Sequence, residues 1–522
     1  MSDKPRKFIK VTYSTLASPD PLLHEYFEEA VAEVKANAGK TYPMLIGGEE
    51  RLGEKAFPKT SPVDTDLVLG YFQKGTAKDA NDAVAAAKAA WPLWRDTPWQ
   101  ERVAIMRKAA DLISERLFYM GAAMSLEVGK NRLEALGDVE ETADLIRYCC
   151  DAMEKNNGFS HTLLSESNRH HNRSVLKPYG VWAVISPFNF PGALAGGPSG
   201  AALTAGNAVV LKPASDTPLT AWHLTECFRD AGVPAGVFNF VTGGGREVGQ
   251  TIIDNPAIAG VTFTGSYDVG MGILRQFANG QYPRPVIAEM GGKNPVIISQ
   301  NADLDKAAMG VMRSAFGLQG QKCSACSRVY VHNAVKDTFM EKLLALTEKI
   351  NVGDPTKKEN WMGPVVNEWA YKDYQDFVAD LRAHGNIVFG GKTLDGNGYY
   401  VAPTIADNLP DDHRLWKQEM FLPIVTVAGF DDLNDAMQKA NDVEYGLTAG
   451  FFGEDEEEIQ WFLDNIEAGV VYVNRESGAT TGAWPGYQSF GGWKGSGSTG
   501  KAAGSFYYIQ QYLKEQSQTI VD

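Results

Sequence analysis

The 522-residue sequence has few cysteines, no long apolar run and no excess of basic residues. Five cysteines are an odd and small number for so long a chain, which argues against a disulfide framework and is typical of a reduced, intracellular protein. No segment approaches about 18 consecutive apolar residues, so no membrane span is expected. A net charge of −15 argues against a nucleic-acid binder, which needs a basic surface. We therefore expect a cytoplasmic protein without nucleic-acid or membrane partners.

The sequence also shows no pattern typical of a secretory signal or of a metal site. The first 20 residues contain no apolar stretch of the kind found in secretory signals, so we expect no such signal. The eight histidines are scattered, and the adjacent His170 and His171 are poorly spaced for two ligands on one helix face. We therefore expect no metal site.

Strand and helix signals alternate over most of the chain. Apolar runs of strand length lie at 181–187, 208–214, 237–243 and 260–266, and helical segments separate them. Strands that alternate with helices predict right-handed βαβ units and a parallel sheet. A polar, β-prone stretch at 159–178 breaks this order and predicts an exposed hairpin, and the C-terminal residues 507–522 read as a strand.

The stretch GQKCSACSR at 320–328 carries the strongest chemical signal. Cys323 lies among small and polar residues that leave a thiol accessible, and the neighbouring cation of Lys322 can favour the reactive thiolate. A buried structural cysteine is one alternative. Cys326 raises another, a CxxC redox pair or half of a zinc site, but no second pair exists in the sequence.

Four further motifs lie at strand ends, where α/β enzymes bind their ligands. Asn189 in PFNFP has a carboxamide that can donate to a developing oxyanion. Glu289 in EMGGK has a carboxylate that can act as a general base in a narrow apolar site. Lys212 in LKPAS and the turn at 263–270 can bind ribose or phosphate, and Glu419 in QEMFLP can bind ribose hydroxyls. Taken singly, each motif is as well explained by ordinary turn chemistry.

Taken together, the motifs resemble the aldehyde dehydrogenase superfamily from roughly residue 40 to the C-terminus. Asn189 and Glu289 are 100 residues apart, Glu289 and Cys323 are 34 apart, and both separations match that family closely. The matching motifs are PFNFP, LKPAS, FTGS, EMGGK, GQKCS, EMFLP, NDVEYGLTAG and SFGGWKGSG. The resemblance implies NAD- or NADP-dependent oxidation of a small-molecule aldehyde to a carboxylic acid.

The resemblance also implies a role for each residue. Cys323 would attack the aldehyde to give a thiohemiacetal and then a thioester, while Asn189 and the Cys323 N–H hold the oxyanion. Glu289 would activate the water that hydrolyses the thioester, and Cys326 becomes a bystander. The cofactor would be held by Ser186, Pro187, Lys212, Ser215, Gly245, Gly249, Thr264, Gly265, Ser266, Gly270, Met290, Gly291, Glu419 and Phe421.

Two positions depart from the family pattern. NAD-specific members commonly have Glu at the position of Ser215, where the carboxylate bonds the adenosine ribose and repels a 2′-phosphate. Because serine removes that charge, we hypothesise that this chain accepts, or prefers, NADP. Leu422 stands where the family usually has Gly, and it is expected to tighten the packing under the cofactor.

Within the superfamily, residues 316–328 and the loop at 474–492 most resemble the 1-pyrroline-5-carboxylate dehydrogenases, which oxidise L-glutamate 5-semialdehyde to L-glutamate in proline catabolism. This implies that the amino-acid end of the substrate is held by Ser324, Gly482 and Ala483, and that its aliphatic part lies between Phe190 and Phe490. Another semialdehyde or an aliphatic aldehyde is the alternative, because the loop is longer than the common pattern and EMGGKNP looks like generic aldehyde dehydrogenases.

The same resemblance implies an α/β fold in three parts. A Rossmann-type cofactor domain would span 21–158 and 179–290, an α/β catalytic domain 291–492, and an oligomerisation flap 159–178 and 493–522. The flap explains the polar hairpin, since a second subunit would pair with its edge. A homo-oligomer is therefore expected.

Overall fold

The computed structural model describes residues 9, 11 and 20–522, so the expectation about a secretory signal lies almost entirely outside the described residues. The α-helices in the described part are α1 (Pro21–Ala36), α2 (Ala77–Asp96), α3 (Trp99–Glu115), α4 (Leu117–Val128), α5 (Arg132–Lys155), α6 (Ala193–Ala205), α7 (Pro218–Ala231), α8 (Gln250–Asp254), α9 (Tyr267–Ala278), α10 (Leu304–Phe316), α11 (Lys336–Thr347), α12 (Glu368–His384), α13 (Leu433–Asn441) and α14 (Glu456–Asn465). Within residues 20–522, no helix has the length and apolar character needed to cross a membrane.

The strands are β1 (Lys40–Tyr42), β2 (Met44–Ile46), β3 (Glu49–Arg51), β4 (Ala56–Thr60), β5 (Val68–Gln73), β6 (Ser160–Thr162), β7 (His170–Pro178), β8 (Val181–Ile185), β9 (Ala208–Lys212), β10 (Phe238–Phe240), β11 (Ile258–Thr264), β12 (Val286–Glu289), β13 (Asn294–Ile298), β14 (Cys326–His332), β15 (Asn386–Phe389), β16 (Thr404–Asp407), β17 (Ile424–Phe430), β18 (Tyr445–Gly446), β19 (Thr448–Phe452), β20 (Val470–Val473), β21 (Trp493–Lys494) and β22 (Leu513–Val521).

The first seven-stranded sheet has the order β12-β11-β8-β9-β10-β2-β3. Its strands are parallel from β12 to β10, which confirms the predicted parallel sheet, while β2 and β3 join antiparallel. Since the carboxyl ends of parallel strands meet at one edge, the ends of β8, β9, β11 and β12 lie side by side. In the register, Ile185 pairs with Lys212 and Thr264 with Glu289. This edge collects the motifs that the sequence scatters over about 100 residues.

Continuous apolar runs suit this sheet because helices cover both of its faces. In β9, Val209 and Leu211 pack into one hydrophobic cluster. Ala208 and Val210, which alternate with them, pack into a second cluster on the opposite face. The period-2 geometry of a strand therefore sends every side chain of the run into a core.

A second seven-stranded sheet, β15-β16-β17-β14-β13-β19-β20, carries the nucleophile loop. Cys323 lies between the 3₁₀ turn Gly317–Gly320 and the start of β14. Leu318 and Gln319 have positive φ angles of 48° and 55° in this turn. A Cβ on Gly320, whose φ is +66°, would overlap the Leu422 carbonyl, so the approach to the cysteine requires glycine there.

The third sheet, β22-β7-β6, contains the hairpin predicted at 159–178. Strand β22 pairs antiparallel with β7 from Leu513 to Val521. The C-terminal strand begins later than the sequence suggests, because residues 509–512 form a 3₁₀ turn that buries Ile509 and Tyr512 in the core. The three-part domain division stays a prediction, and β21, inside the predicted flap, pairs with β18 of the predicted catalytic part.

Candidate active site

Neighbouring side chains hold the backbone of the nucleophile loop. Asn294 Nδ2 donates to the Cys323 carbonyl at 2.7 Å and to the Ala325 carbonyl at 2.9 Å. Thr480 Oγ1 donates to the Ser324 carbonyl at 2.6 Å. These bonds fix the backbone through its carbonyls and leave the thiol of Cys323, which is partly exposed, available for chemistry.

The thiol of Cys323 is protonated at neutral pH. Burial, followed by the negative charges of Glu419 and Glu289, raises the pKa of Cys323 to about 12. Lys322 does not offset this, because its Nζ is paired with Glu134 Oε1 at 2.9 Å. The prediction that Lys322 favours the thiolate is therefore wrong, and the thiol needs a base before it can attack a carbon.

Glu289 supplies a carboxyl of suitable basicity at the end of β12. Burial raises the pKa of Glu289 to about 8, and a hydrogen bond at 3.3 Å from the Gly492 N–H to its Oε2 lowers it by a smaller amount. A carboxyl with this pKa is ionised in a minority of molecules at neutral pH and in most of them above about pH 8, and its carboxylate is basic enough to take a proton. Since its charge acts on Cys323, it can serve as a base within the same site.

Glu419 approaches the same site from the other sheet. Its Oε1 accepts the Gly292 N–H at 2.8 Å, and burial raises the pKa of Glu419 to about 7. A Cβ on Gly291 would overlap this carboxylate, so the first glycine of EMGGK leaves the space that Glu419 occupies. Phe421, with a φ of 58°, stands edge-on to Phe188 with ring centroids 5.8 Å apart.

Leu422, which replaces the usual glycine, is 4% exposed and packs in the hydrophobic core of the second sheet. The predicted role of this residue in packing is consistent with its burial. Its carbonyl is the atom that excludes a side chain from Gly320.

Asn189 is 3% exposed in the loop between β8 and α6. Its carboxamide makes no hydrogen bond to another residue in the described part of the chain, so its donors are available. A neutral amide in a buried site is well suited to stabilise a developing oxyanion.

A buried ion pair, missed in the sequence, supports the Asn189 loop. Lys130 Nζ lies 2.7 Å from Asp138 Oδ2, and both side chains are completely buried. Asp138 Oδ1 accepts the Ala193 N–H at 2.7 Å, which holds the start of α6, and Lys130 Nζ lies 3.7 Å from the centroid of the Phe190 ring. The pair thus holds both ends of the segment around Asn189. A lysine just before α5 and an aspartate eight residues later within that helix were its only sequence signal.

The groups at the edge of the first sheet fit a dinucleotide. Lys212 is 5% exposed, and the one hydrogen bond of its Nζ to a described residue is to the Pro213 carbonyl at 3.0 Å. Burial lowers the pKa of Lys212 to about 8. Beside it, the π-helical turn Gly245–Gly249 is open, since a Cβ on Gly245 would have no atom within 4 Å. The buried Lys212 ammonium has hydrogen-bonding capacity to spare and lies next to an open glycine turn, an arrangement that suits the binding of ribose and phosphate groups.

The N-terminus of α9 completes this edge. Ser266 is the exposed N-cap residue, and its hydroxyl makes no capping hydrogen bond, so both it and the helix N–H groups are available to an anion. Ser215 is also exposed and lies two residues before Thr217, the N-cap position of α7. The other predicted cofactor residues lie at the same edge, in the turns after it or in the first turn of α9: Ser186, Pro187, Thr264, Gly265, Gly249, Gly270, Met290 and Gly291.

The predicted substrate residues lie in or beside two loops. Ser324 is 7% exposed next to the nucleophile. Gly482 and Ala483 are in the loop at 474–492, which is tied to α5 because Trp484 Nε1 donates to Asp144 Oδ2 at 2.9 Å. Phe490 ends this loop and pairs with Ala503 through backbone hydrogen bonds of 2.9 and 2.7 Å, while Phe190 lies beneath the Lys130 ammonium. Binding roles for these residues stay predictions.

One histidine cluster was not expected from the sequence. Asp380 Oδ1 lies 2.8 Å from His384 Nδ1 and 3.3 Å from His413 Nε2, within reach of a common cation. Arg414 already pairs with Asp380 Oδ2 at 2.5 Å. Since His413 Nδ1 accepts the Leu415 N–H at 3.3 Å, Nε2 carries the proton of a neutral ring. We interpret the cluster as hydrogen-bond donors around one carboxylate.

Comparison with known proteins agrees with this geometry. Residues 49–518 match the model of the aldehyde dehydrogenase family. A 1-pyrroline-5-carboxylate dehydrogenase of Bacillus mycoides (strain KBAB4) is 37% identical over 500 residues, covering 95% of this chain and 96% of the relative. The structure of 1-pyrroline-5-carboxylate dehydrogenase from Thermus with bound NAD superposes with a TM-score of 0.93 at 32% identity, covering 100% of both chains.

A longer protein is also similar. Proline utilization A from Bdellovibrio bacteriovorus, inactivated by N-propargylglycine, superposes with a TM-score of 0.91 at 36% identity and covers 95% of this chain. This chain spans about half of that protein, 51% of its length. The family model, the relatives and the shared fold lead to one conclusion: the chain belongs to the aldehyde dehydrogenase family.

Proposed function

We propose that the chain oxidises L-glutamate 5-semialdehyde, formed from 1-pyrroline-5-carboxylate, to L-glutamate with NAD or NADP. The observation that carries the proposal is the group of Cys323, Glu289 and Glu419, three partly exposed side chains in which both carboxylates act on the thiol. The names of the relatives from Bacillus mycoides and Thermus support the choice of substrate.

Each residue has a distinct task in this reaction. Cys323 passes its proton to one of the two carboxylates that act on it, and its Sγ then attacks the aldehyde carbon. The Asn189 carboxamide and the Cys323 N–H stabilise the resulting oxyanion. When bound, the oxidised nicotinamide cofactor accepts a hydride. Glu289 then takes a proton from the water that hydrolyses the Cys323 thioester and releases the acid. Lys212 would hold the adenosine ribose, Ser266 the pyrophosphate and Glu419 the nicotinamide ribose.

A panel of aldehydes tests the substrate. With either cofactor at saturation, we expect kcat/KM for 1-pyrroline-5-carboxylate to exceed that for pentanal by about 100-fold, because the site would recognise the polar end of the substrate. Succinate semialdehyde, a shorter semialdehyde, should fall between them. Oxidation of aliphatic aldehydes without turnover of 1-pyrroline-5-carboxylate would replace this proposal with the aliphatic alternative.

Ser215 supplies a test of cofactor choice. Its neighbour Asp216 is turned toward other residues, since Asn367 Nδ2 donates to its Oδ2 at 3.2 Å and the buried Lys59 interacts with its charge. We therefore expect the protein to use NADP, and Ser215→Glu to lower kcat/KM for NADP by about 10- to 100-fold through repulsion of the 2′-phosphate. Ser215→Gln, which has the same shape without the charge, is the matched control. Steady-state kinetics with both cofactors would contradict the idea if the wild type strongly prefers NAD.

The homo-oligomer and the cytoplasmic location stay predictions. Strand β22 lies at the edge of the third sheet, and its Ile520 and Val521 are 53% and 56% exposed. An exposed edge of this kind can be paired by a second chain, which supports the oligomer.

A further inference from the structure

The loop at 474–492 contains a guanidinium group without a carboxylate partner. Arg475 Nη1 donates to the Thr481 carbonyl, and Nη2 donates to the Gly482 carbonyl at 3.3 Å. The Arg475 Cζ lies 5.1 Å from the centroid of the Tyr472 ring. Among residues 20–522, no Asp or Glu forms an ion pair with it. Arg475 therefore braces a turn and keeps its positive charge.

The guanidinium packs directly on Gly482. That residue has a φ of +115°, and a Cβ there would overlap both Nη atoms of Arg475. The left-handed backbone disfavours a side chain at Gly482, and the close approach of Arg475 is a second, independent reason for glycine there. The turn and the arginine form one unit.

The direction of the two carbonyls decides where the next N–H groups point. The described part of the chain contains no cis peptide bond, and in a trans peptide the C=O and the following N–H point in opposite directions. Because the Thr481 and Gly482 carbonyls face Arg475, the Gly482 N–H faces away from it, while the Ala483 N–H is directed at the Tyr472 hydroxyl. The Gly482 N–H therefore forms a small donor surface on the opposite side of the turn, with a positive charge behind it.

This donor surface belongs to the neighbourhood of the nucleophile. Thr480, next to the turn, donates to the Ser324 carbonyl at 2.6 Å. Tyr472, which stacks under Arg475, is buried and lies within electrostatic reach of both Cys323 and Glu141. The cation adjacent to the nucleophile, Lys322, is already neutralised by Glu134. Arg475 is thus a cation of this neighbourhood that forms no ion pair with a described carboxylate, so its charge is available to an anionic substrate.

We propose that Arg475 is a specificity-determining residue that selects aldehydes carrying a carboxylate. It aims the Gly482 N–H and adds a positive charge that forms no ion pair with a described carboxylate. The inference rests on the proposed function, because glutamate semialdehyde supplies the carboxylate. An aldehyde of equal length without a carboxylate gains nothing from the charge, although it uses the same Cys323 chemistry.

Two variants separate the charge from the bracing. Arg475→Gln retains an amide donor for the two carbonyls without the charge, and Arg475→Lys retains the charge with a single ammonium. The measurement is kcat and KM for glutamate semialdehyde and pentanal, which share a five-carbon chain. We expect Arg475→Gln to raise KM for the semialdehyde by about 10-fold and to leave KM for pentanal within about 2-fold. Arg475→Lys should keep most of the preference.

Ionic strength gives a readout that needs no variant. If the charge acts on the substrate carboxylate, KM for the semialdehyde should rise with salt in the wild-type protein while KM for pentanal stays constant. This arm remains informative if Arg475→Gln fails to fold. Equal losses for both aldehydes in Arg475→Gln, or an unchanged KM for the semialdehyde, would overturn the proposal.

The design also distinguishes this inference from the proposed function. Turnover of pentanal but not of glutamate semialdehyde by the wild type would refute the proposed substrate. In that case succinate semialdehyde and butanal, matched at four carbons, apply the same comparison to Arg475. A preference for the acid that disappears in Arg475→Gln would support Arg475, and the absence of any preference would overturn it.

Discussion

Replacement of Cys323 by alanine is expected to abolish aldehyde oxidation, with kcat falling by at least about 10⁴-fold. No other described cysteine can substitute for Cys323, since Cys149, Cys150, Cys227 and Cys326 are all buried. The measurement is the absorbance of the reduced cofactor during turnover of 1-pyrroline-5-carboxylate. Retained binding of the oxidised cofactor by the variant would show that the loss lies in the chemistry.

Cys326→Ala is the matched control for this experiment. Cys326 is 1% exposed, and its Sγ donates to the Arg328 carbonyl at 3.7 Å, away from any role as nucleophile. We expect this variant to keep activity within about 3-fold of the wild type, because a small buried side chain has been shortened. Undiminished activity in Cys323→Ala, or equal loss in both variants, would refute covalent catalysis by Cys323.

Replacement of Glu289 by glutamine is expected to stop the reaction at the thioester. Without Glu289, water attacks slowly, so kcat should fall by about 10²- to 10⁴-fold. Glu419, the other carboxylate that acts on Cys323, remains to take the thiol proton, so the first turnover should still reduce one equivalent of cofactor. Rapid mixing would detect this as a burst followed by a slow steady state. Mass spectrometry of the quenched protein would show the acyl group on Cys323. A variant that turns over at the wild-type rate, without accumulation of the acyl protein, would contradict the assignment.

The pH dependence follows from the same carboxyl. Because burial raises the pKa of Glu289 to about 8, the group is mainly protonated below that pH and cannot accept a proton from water. The rate of hydrolysis should therefore rise as pH increases through about 8 and level off above it. In Glu289→Gln this rise should disappear. A wild-type rate that is independent of pH between about 6 and 9 would show that Glu289 is not the base.

The family and the main elements of the fold were predictable from the sequence, since they depend on order and spacing along the chain. The apolar runs of β8 and β9 predict a sheet covered on both faces, and parallel strands bring their carboxyl ends to one edge. Cys323, Glu289 and Asn189 are recognisable because each belongs to a short motif of its own. Their catalytic roles stay predictions until the variants are measured.

The charges around the site depended on tertiary contacts. Lys322 is adjacent to Cys323, yet its partner Glu134 lies 188 residues earlier in the chain, so no local pattern shows that its charge is neutralised. The 3₁₀ turn at 509–512 replaces the start of the predicted C-terminal strand because its apolar side chains are buried by distant residues.

The sequence by itself determined the family and the α/β fold and singled out Cys323 as the predicted nucleophile, because these follow from local motifs and their separations. Only the tertiary structure decided which charges are neutralised: Lys322 is paired with Glu134, the Lys130–Asp138 pair is buried under the Asn189 loop, and Arg475 is left without a carboxylate. The physical reason is that burial and pairing set the effect of a charge, and both depend on residues brought together only by folding.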